Sequence, residues 1–299
     1  MAEQDGPALP GTIGFVGLGR MGEPMVRRLA AAGVTVRGHD ALPRPALADV
    51  VTLVDKAADV ADGVPVVILM LPDSNVVDAV VRDAGLLDAL APGTVLVDMG
   101  SSEPLRTRSL AEEVASRGAV LVDAPVSGGV TGATAGTMTI MVGGPDDTVA
   151  ALTPLLAVLG RVRHVGGVGA GHALKALNNM MSAAHLLASS EALLAGQRFG
   201  LDPAVMLDAV NGSSGRSGST ENKWPNFVLP GTFDSGFALT LMLKDIRIAL
   251  GLAEATGTPS ALSARTVELW AEAAAALGPD ADHTEIVRWL RRTDPSTGE

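Results

Sequence analysis

The chain has 299 residues, a formal net charge of −11, 3% aromatic residues and no cysteine. This length allows two domains with a sizeable core, and the acidic charge with few aromatic side chains argues against nucleic-acid binding. The lack of cysteine excludes disulfides and thiolate chemistry, and we expect a cytoplasmic protein because neither a secretory signal nor an apolar run of membrane-spanning length is recognisable.

The first half of the chain alternates strand-like apolar runs with runs of helical periodicity. The predicted strands are residues 12–16, 34–39, 65–70, 94–98, 120–123 and 139–142. The predicted helices between them are residues 22–32, 75–83, 104–117 and 146–159. This alternation is typical of an α/β fold with a doubly wound, mostly parallel sheet, in which ligands bind beyond the carboxyl ends of the strands. A flexible tail is expected at residues 1–11.

A glycine-rich turn follows the first strand directly. It consists of Gly17, Leu18, Gly19, Arg20, Met21 and Gly22, with the spacing G-x-G-x-x-G. In a strand–turn–helix of this kind the glycines allow a tight turn, close approach of a pyrophosphate and close packing of the helix. Asp40 ends the second strand, where a carboxylate would bind the ribose hydroxyls. Residues 12–168 are therefore predicted to form a Rossmann-type dinucleotide-binding domain.

From residue 169 onward the strand pattern stops. A long apolar helical pattern covers residues 172–198, and further helical patterns cover 202–210, 239–255, 260–277 and 284–292. His185, among alanines and leucines of the long helix, is expected to pack in the core. We predict an all-α domain over residues 169–299, joined to the first by this helix, that binds substrate and forms a homodimer or homotetramer.

The segment 211–236 is rich in Gly, Ser and Pro, and we expect a long functional loop there. It bears Arg216, Asn222 and Lys223, which we expect to line the substrate pocket and to influence substrate choice.

Polar loops follow the third and fourth predicted strands. Leu71 and Pro72 follow the third, and Ser101 and Ser102 follow the fourth. Backbone amides and a hydroxyl at these places would contact the nicotinamide half of a cofactor. A cap for the helix that begins at Pro104 is an equally good interpretation of the serines.

The loop after the fifth strand contains Ser127, Gly128 and Gly129. A hydroxyl and unobstructed backbone N–H groups suit a carboxylate, so this turn is a candidate substrate site, with a plain flexible turn as the alternative.

Lysine is scarce: Lys56, Lys175, Lys223 and Lys244 are the four in the chain. Lys175 lies four residues before Asn179 on the long helix, so the two share one face. An amine in a partly dry pocket can protonate a developing alkoxide or remove the proton of an alcohol. The alternatives are a lysine that extends along the helix surface to solvent, and His172 as the base.

Four motifs carry a resemblance to a known family. They are residues 14–22, residues 123–129, residues 169–179 and residues 237–245, in that order. The chain resembles the β-hydroxyacid dehydrogenases of the 3-hydroxyisobutyrate dehydrogenase-like group. The resemblance implies a catalytic acid/base (Lys175), a neighbour that orients the substrate (Asn179), a substrate-carboxylate site (Ser127, Gly128, Gly129) and cofactor contacts (Leu71, Pro72, Ser101, Lys244). It further implies hydride transfer between NAD and a small 3-hydroxy acid or its semialdehyde.

The chain departs from family patterns at three places. The loop after the fourth strand reads Gly100-Ser101 where Ser-Thr is usual, so the hydroxyl contact is altered. Ser182 stands where 6-phosphogluconate dehydrogenases carry Glu, which argues against that activity. Asp40-Ala41 replaces the Asn-Arg pair of NADP-preferring relatives, and this favours NAD over NADP, although Arg44 lies nearby in sequence.

Two alternative functions differ in chemistry from this hypothesis. One is imine reduction on the same fold, against which the presence of Lys175 counts. The other is a non-catalytic dinucleotide-binding protein. No metal is predicted, because the histidines share no metal-ligand spacing.

Overall fold

The computed structural model describes residues 9–292. Residues 1–8 of the predicted tail at 1–11, and the polar C-terminal end from residue 293, lie outside the described residues. The chain divides into two compact units, Met1–Lys175 and Ala176–Glu299. This division falls inside one long helix, seven residues beyond the predicted boundary at 168/169. The two predicted domain assignments stay predictions.

Nine strands form one sheet in the described part of the first unit. They are β1 (Thr12–Val16), β2 (Thr35–His39), β3 (Val51–Leu53), β4 (Val66–Leu69), β5 (Val95–Asp98), β6 (Val120–Asp123), β7 (Val126–Ser127), β8 (Met138–Gly143) and β9 (Gly160–Gly166). The first six are parallel in the order β3-β2-β1-β4-β5-β6. This is the Rossmann order, and the predicted Rossmann-type sheet is confirmed.

Helices cover both faces of this sheet. They are α1 (Gly22–Ala31), α2 (Ser74–Asp78, continued by a π-helical turn at Ala79–Asp83), α3 (Leu86–Ala89), α4 (Pro104–Ser116), α5 (Gly129–Ala135) and α6 (Asp146–Ala157). Alternate strand residues enter opposite cores: Phe15 and Ile68 pack on the side of α1, α5 and α6, whereas Val16 and Leu69 pack on the side of α2, α3 and α4. Burial on both faces explains why these strands read as continuous apolar runs.

The register of the parallel strands aligns their carboxyl ends. Val16 pairs with His39 and with Leu69, Leu69 pairs with Asp98, and Asp98 pairs with Asp123. The loops that follow these five strands therefore leave the sheet at one edge, and this edge carries most of the predicted site residues.

The helices that follow are α7 (Ala170–Phe199), α8 (Pro203–Asn211), α9 (Leu239–Ala255), α10 (Ala261–Leu277) and α11 (Ile286–Arg292). Except for the first turns of α7, they belong to the second unit. The buried side chains of Trp224 and Trp270 lie in the core of that unit. The predicted helical character of the C-terminal half is confirmed.

Sequence reasoning missed or misjudged several local features. Strands β3, β7 and β9 were not predicted, and β8 runs antiparallel to β6. The segment 211–236 is not one loop, because Ser219–Val228 is π-helical and buries Trp224 and Val228 in the core. The prediction that His185 packs in the core was wrong: its side chain lies on an exposed face of α7.

No helix within residues 9–292 is long and apolar enough to cross a membrane.

Candidate active site

The glycine turn after β1 adopts the geometry that its spacing predicts. Gly17 has a φ of 96°, and a Cβ there would collide with the Met70 carbonyl oxygen. A Cβ at Gly22 would collide with the Gly17 carbonyl oxygen, so this glycine allows α1 to pack on the turn. Gly19 differs, since the nearest atom to a Cβ there would be an Arg44 nitrogen at 3.6 Å. The protein itself therefore leaves space beside Gly19.

Asp40 ties the end of β2 to this glycine turn. Its Oδ2 accepts the Leu18 N–H at 2.7 Å, and its Oδ1 accepts the Leu42 N–H at 2.8 Å. An Arg44 guanidinium nitrogen lies 3.3 Å from Oδ1. A carboxylate has about four acceptor positions, so at least one of them is left for a ribose hydroxyl.

These features suit a dinucleotide. The space beside Gly19 is where a pyrophosphate approaches the backbone in this fold. The N-cap residue of α1, Met21, makes no side-chain cap. Pro24 has no N–H and the Glu23 N–H donates to the Gly19 carbonyl oxygen, so the Gly22 N–H is the first-turn amide that can donate to an anion. Asp40 stands at the ribose position. The residues present thus fit the cofactor.

The loops after β4 and β5 pack against each other. Gly100 has no room for a Cβ, which would collide with the Leu71 carbonyl oxygen. The Gly100 N–H donates to Asp98 Oδ1 at 2.9 Å, and Ser102 Oγ donates to Oδ2 at 2.6 Å. Ser102 is thus a structural residue that fixes the loop bearing Ser101, while Leu71, Pro72 and Ser101 lie at the carboxyl edge of the sheet.

The predicted carboxylate site lies at the end of β7. Gly128 and Gly129 have φ values of 132° and 60°, which glycine adopts readily and other residues rarely do. A Cβ at Gly129 would have no neighbour within 4 Å, so the turn is open on that side. Ser127 pairs with Thr139 of β8, which fixes the entry to the turn.

A group of fully buried polar side chains joins β5, β6, α4 and the start of α7. We call it the buried cluster: Asp98, Thr107, Asp123 and His172, none of which is more than 4% exposed. His172 Nδ1 lies 2.8 Å from Thr107 Oγ1, and its Nε2 lies 3.7 Å from Asp98 Oδ2. This burial keeps the His172 ring away from a substrate, and it speaks against the alternative in which His172 is the base.

Asp123 anchors the start of α7 to the sheet. Its two oxygens accept the Gly169 N–H at 2.7 Å and the His172 N–H at 2.8 Å. Burial raises the pKa of Asp123, whereas the His172 charge and these N–H donors act in the opposite direction. Lys175, half-buried and three residues beyond His172, is thereby held near the carboxyl edge of β6.

Asn179, one turn beyond Lys175 on α7, is buried and firmly held. Its Nδ2 donates to Asp245 Oδ2 at 2.6 Å. Asp245 Oδ1 in turn lies 2.8 Å from Lys244 Nζ. The predicted cofactor residue Lys244 is thus linked through Asp245 to the predicted substrate-orienting amide.

A second polar group belongs entirely to the second unit. We call it the lysine cluster: Ser182, Lys223, Asp282 and His283. Lys223 Nζ donates to Ser182 Oγ at 2.7 Å. Burial lowers the pKa of Lys223 to about 8, against the opposing effect of the Asp282 charge. Burial and the charge of Lys223 lower the pKa of His283 to about 4.

A cavity of the first unit lies away from these groups. It measures about 620 Å³ and lies beside α1, where Arg27, Arg28 and Thr134 help to line it. Of the predicted site residues only Arg20 reaches it. Arg28 is engaged there with the carbonyl oxygens of Thr134 and Val158.

Sequence reasoning gave no role to four aspartates that organise these groups, namely Asp98, Asp123, Asp245 and Asp282. A signal existed for the first two, because β5 and β6 have the same sequence, Val-Leu-Val-Asp. Aspartates that end two neighbouring parallel strands in register must lie side by side.

Two family models match the chain. The NAD binding domain of 6-phosphogluconate dehydrogenase matches residues 12–169. The model described as NAD-binding of NADP-dependent 3-hydroxyisobutyrate dehydrogenase matches residues 169–290.

Among curated proteins, the chain is 38% identical to 2-(hydroxymethyl)glutarate dehydrogenase of Eubacterium barkeri, over 86% of this chain and 87% of that protein. It is also 38% identical to 3-hydroxyisobutyrate dehydrogenase of Pseudomonas aeruginosa, over 91% of this chain and 94% of that protein.

Among solved structures, Mycobacterium tuberculosis 3-hydroxyisobutyrate dehydrogenase with L-serine matches with a TM-score of 0.88 and 33% identity, covering 95% of this chain and 100% of that one. An imine reductase from Myxococcus stipitatus matches with a TM-score of 0.64 and 18% identity, which shows a shared fold alone. The sequence identities, the coverage of both halves of the chain and the order of the motifs all indicate one family. The chain belongs to the β-hydroxyacid dehydrogenase family, whose members are oxidoreductases that use a nicotinamide dinucleotide.

Proposed function

We propose that this chain oxidises a small 3-hydroxy acid to its semialdehyde, reversibly and with NAD, and that Lys175 is the general acid/base. The observation that carries the proposal is the anchoring of α7 by Asp123. Two N–H groups at the helix start donate to this carboxylate at the end of β6. Lys175 is therefore held at the sheet edge where the glycine turn and Asp40 lie.

Each of the proposed site residues has a separate role in the reaction. When bound, the nicotinamide supplies the hydride acceptor or donor. Lys175 Nζ removes the hydroxyl proton during oxidation and returns it during reduction. One Asn179 side-chain N–H donates to Asp245, and the carbonyl oxygen accepts the Asn178 side-chain N–H in one of its two acceptor positions. The remaining N–H and the second acceptor position orient the substrate. Ser127, Gly128 and Gly129 bind the substrate carboxylate through the hydroxyl and backbone N–H groups.

The preference for NAD over NADP rests on Asp40. A carboxylate at the ribose position repels a 2′-phosphate and accepts a hydrogen bond from a 2′-hydroxyl. Arg44 could bind a 2′-phosphate, but its ion pair with Asp40 occupies it. We expect kcat/KM to be higher with NAD than with NADP, and Asp40→Ala to reduce this preference. A wild-type preference for NADP would contradict the assignment.

Two relatives support the proposed substrate class. Proteins that are 38% identical are named for 3-hydroxyisobutyrate and for 2-(hydroxymethyl)glutarate, which share a primary alcohol next to the carbon that bears a carboxylate. We propose a substrate with this arrangement. The absence of a Glu at the position of Ser182 argues against 6-phosphogluconate.

We further propose that residues 12–168 bind the dinucleotide and that residues 169–299 bind substrate and mediate homodimer or homotetramer formation in the cytoplasm. The support for an oligomer is an apolar stripe on α7, where Leu177 is 41% and Met181 52% exposed. Light scattering on wild type and Met181→Glu tests this: a monomer mass for the wild type would contradict it.

Replacement of Lys175 tests the catalytic proposal. Lys175→Ala is expected to lower kcat by roughly 10²- to 10⁴-fold, because the proton then lacks an acceptor, and to leave the Kd for NADH unchanged. Lys56→Met, which removes an exposed lysine, is the matched control and should keep wild-type kcat. Wild-type kcat in Lys175→Ala would refute the role.

A panel of hydroxy acids and cyclic imines, read as NADH formation or loss, separates the alternatives. Turnover of imines alone would favour imine reduction. Cofactor binding without turnover of any compound would favour a non-catalytic protein.

A further inference from the structure

The face of α7 that carries the proposed catalytic pair continues to Ser182. Lys175, Asn179 and Ser182 occupy positions i, i+4 and i+7, which lie along one side of a helix. At about 1.5 Å per residue, Ser182 lies about 10 Å beyond Lys175 along the helix axis. Under the proposed function, in which Lys175 contacts the reacting end of a substrate, a side chain that contacts Ser182 would meet the far end of that substrate.

Lys223 is that side chain. Its ammonium donates to Ser182 Oγ at 2.7 Å, which uses one of its three N–H groups and leaves two. The neighbouring Trp224 is fully buried, and its Nε1 donates to Ser190 Oγ at 3.2 Å. Ser190 lies on α7, as Ser182 does. The π-helical segment is therefore firmly fixed on α7, and the position of Lys223 is built into the fold.

This ammonium has no carboxylate partner among the residues that the structure describes. Asp282 supplies the nearby negative charge, but its Oδ1 accepts from Ser235 and Thr284, and its Oδ2 accepts from Gly236. These donors hold Asp282 in its own turn and take up its acceptor positions. A half-buried cation with two unused donors and no ion pair is an unusual arrangement, and it suits an anionic ligand.

We propose that Lys223 and Ser182 form a subsite for a second anionic group of the substrate, so that the chain prefers 3-hydroxy acids that carry a second carboxylate beyond the reacting carbon. This inference rests on the proposed function, since it assigns the far end of the same substrate. A carboxylate there would accept from the ammonium and from the Ser182 hydroxyl, and it would supply the countercharge that Lys223 lacks.

A matched pair of substrates tests the proposal. 2-(Hydroxymethyl)glutarate and 2-(hydroxymethyl)pentanoate share the reacting end and chain length and differ in the second carboxylate. Wild type is expected to favour the diacid in kcat/KM. Lys223→Met should lower kcat/KM for the diacid by roughly 10- to 100-fold, the factor expected for the loss of one charge-assisted hydrogen bond. The kcat/KM for the monoacid should stay near the wild-type value.

Three further variants test the ammonium charge, the Ser182 hydroxyl and an unrelated lysine. Lys223→Arg keeps the charge and should retain much of the diacid preference. Ser182→Ala should weaken the preference less than Lys223→Met, because the ammonium remains. Lys56→Met should leave it unchanged. Equal loss for both substrates in Lys223→Met, or an unchanged ratio, would overturn the subsite.

A binding measurement separates failure of the subsite from failure of the proposed function. Calorimetry of the NADH complex should show tighter binding of glutarate than of pentanoate by wild type, and no such difference for Lys223→Met. If neither hydroxy acid is turned over but this difference persists, the proposed function fails and the anion subsite stands. Equal binding of glutarate and pentanoate by wild type would overturn the subsite.

Discussion

The buried cluster and the lysine cluster contain similar groups and differ in how they are enclosed. Both combine a histidine, a carboxylate that accepts several N–H or O–H donors, and a hydroxyl. In the buried cluster His172 and Asp123 are at most 1% exposed and hold strand ends and a helix start together. In the lysine cluster the added ammonium of Lys223 is half-buried and keeps unused donors.

This difference shows how enclosure decides what a polar group can do. A fully enclosed cluster forms its hydrogen bonds with neighbouring protein groups and offers none to a ligand, so it contributes to stability and to the position of Lys175. A partly enclosed cation is desolvated enough to have a changed pKa and accessible enough to meet a ligand. Changes in the first cluster should therefore affect folding, and changes in the second should affect binding.

The largest expected effect is the loss of Asp123. Asp123→Ala leaves the N–H groups of Gly169 and His172 without their acceptor in the protein interior, and the expected cost is about 3 kcal/mol or more in the free energy of unfolding. Urea unfolding measures it. Asp49→Ala, which removes an exposed carboxylate, is the control and should change little. A similarly small cost for Asp123→Ala would show that the buried cluster does not stabilise the fold.

A smaller effect is expected for His172→Gln, about 1–3 kcal/mol from the lost hydrogen bond with Thr107. Its kcat should keep the pH profile of the wild type, since the ring is enclosed and takes no proton from substrate. Disappearance of one limb of that profile, in a variant that still binds NADH, would restore His172 as the candidate base.

The smallest expected effect is the contribution of the lysine cluster to the pH dependence of the free energy of unfolding. Because the pKa of Lys223 is lowered to about 8, the unfolded chain, with an ordinary lysine pKa near 10.4, binds more protons than the folded one between these values. Stability should therefore rise with pH over this window, relative to Lys223→Met. Asp282 and His283 are the charged or titratable neighbours, and His283, with its pKa lowered to about 4, is neutral throughout the window.

Urea unfolding of both proteins at several pH values above 8 measures this difference. Parallel curves for wild type and Lys223→Met would show that Lys223 is not desolvated as the structure indicates.

The sheet and the glycine turn could be predicted because their signals are local. An apolar run buried on both faces, a glycine triplet and an acid at the next strand end lie within a short stretch of sequence. Strands β3 and β9 were harder, since Val51–Leu53 is short and Gly160–Gly166 contains two arginines and a histidine with only two valines, in no regular alternation.

The partners of the site residues could not be predicted in the same way. Asp245 lies 66 residues from Asn179, and Lys223 lies 41 residues from Ser182. Such pairs depend on how helices pack, which periodicity alone does not specify. The π-helical segment was missed for a related reason, because the Gly/Ser-rich residues before it indicate a loop and the burial of Trp224 and Val228 depends on tertiary packing.

The lowered pKa of the Lys223 amine also has a use in protein chemistry. Neutral amines react with acylating reagents and ammonium ions do not, so at mildly alkaline pH this side chain presents far more of its reactive form than an ordinary lysine does. The chain has four lysines, and peptide mass spectrometry can follow each one separately. Covalent labelling thus offers a direct report on solvent access and ligand protection at one defined nitrogen.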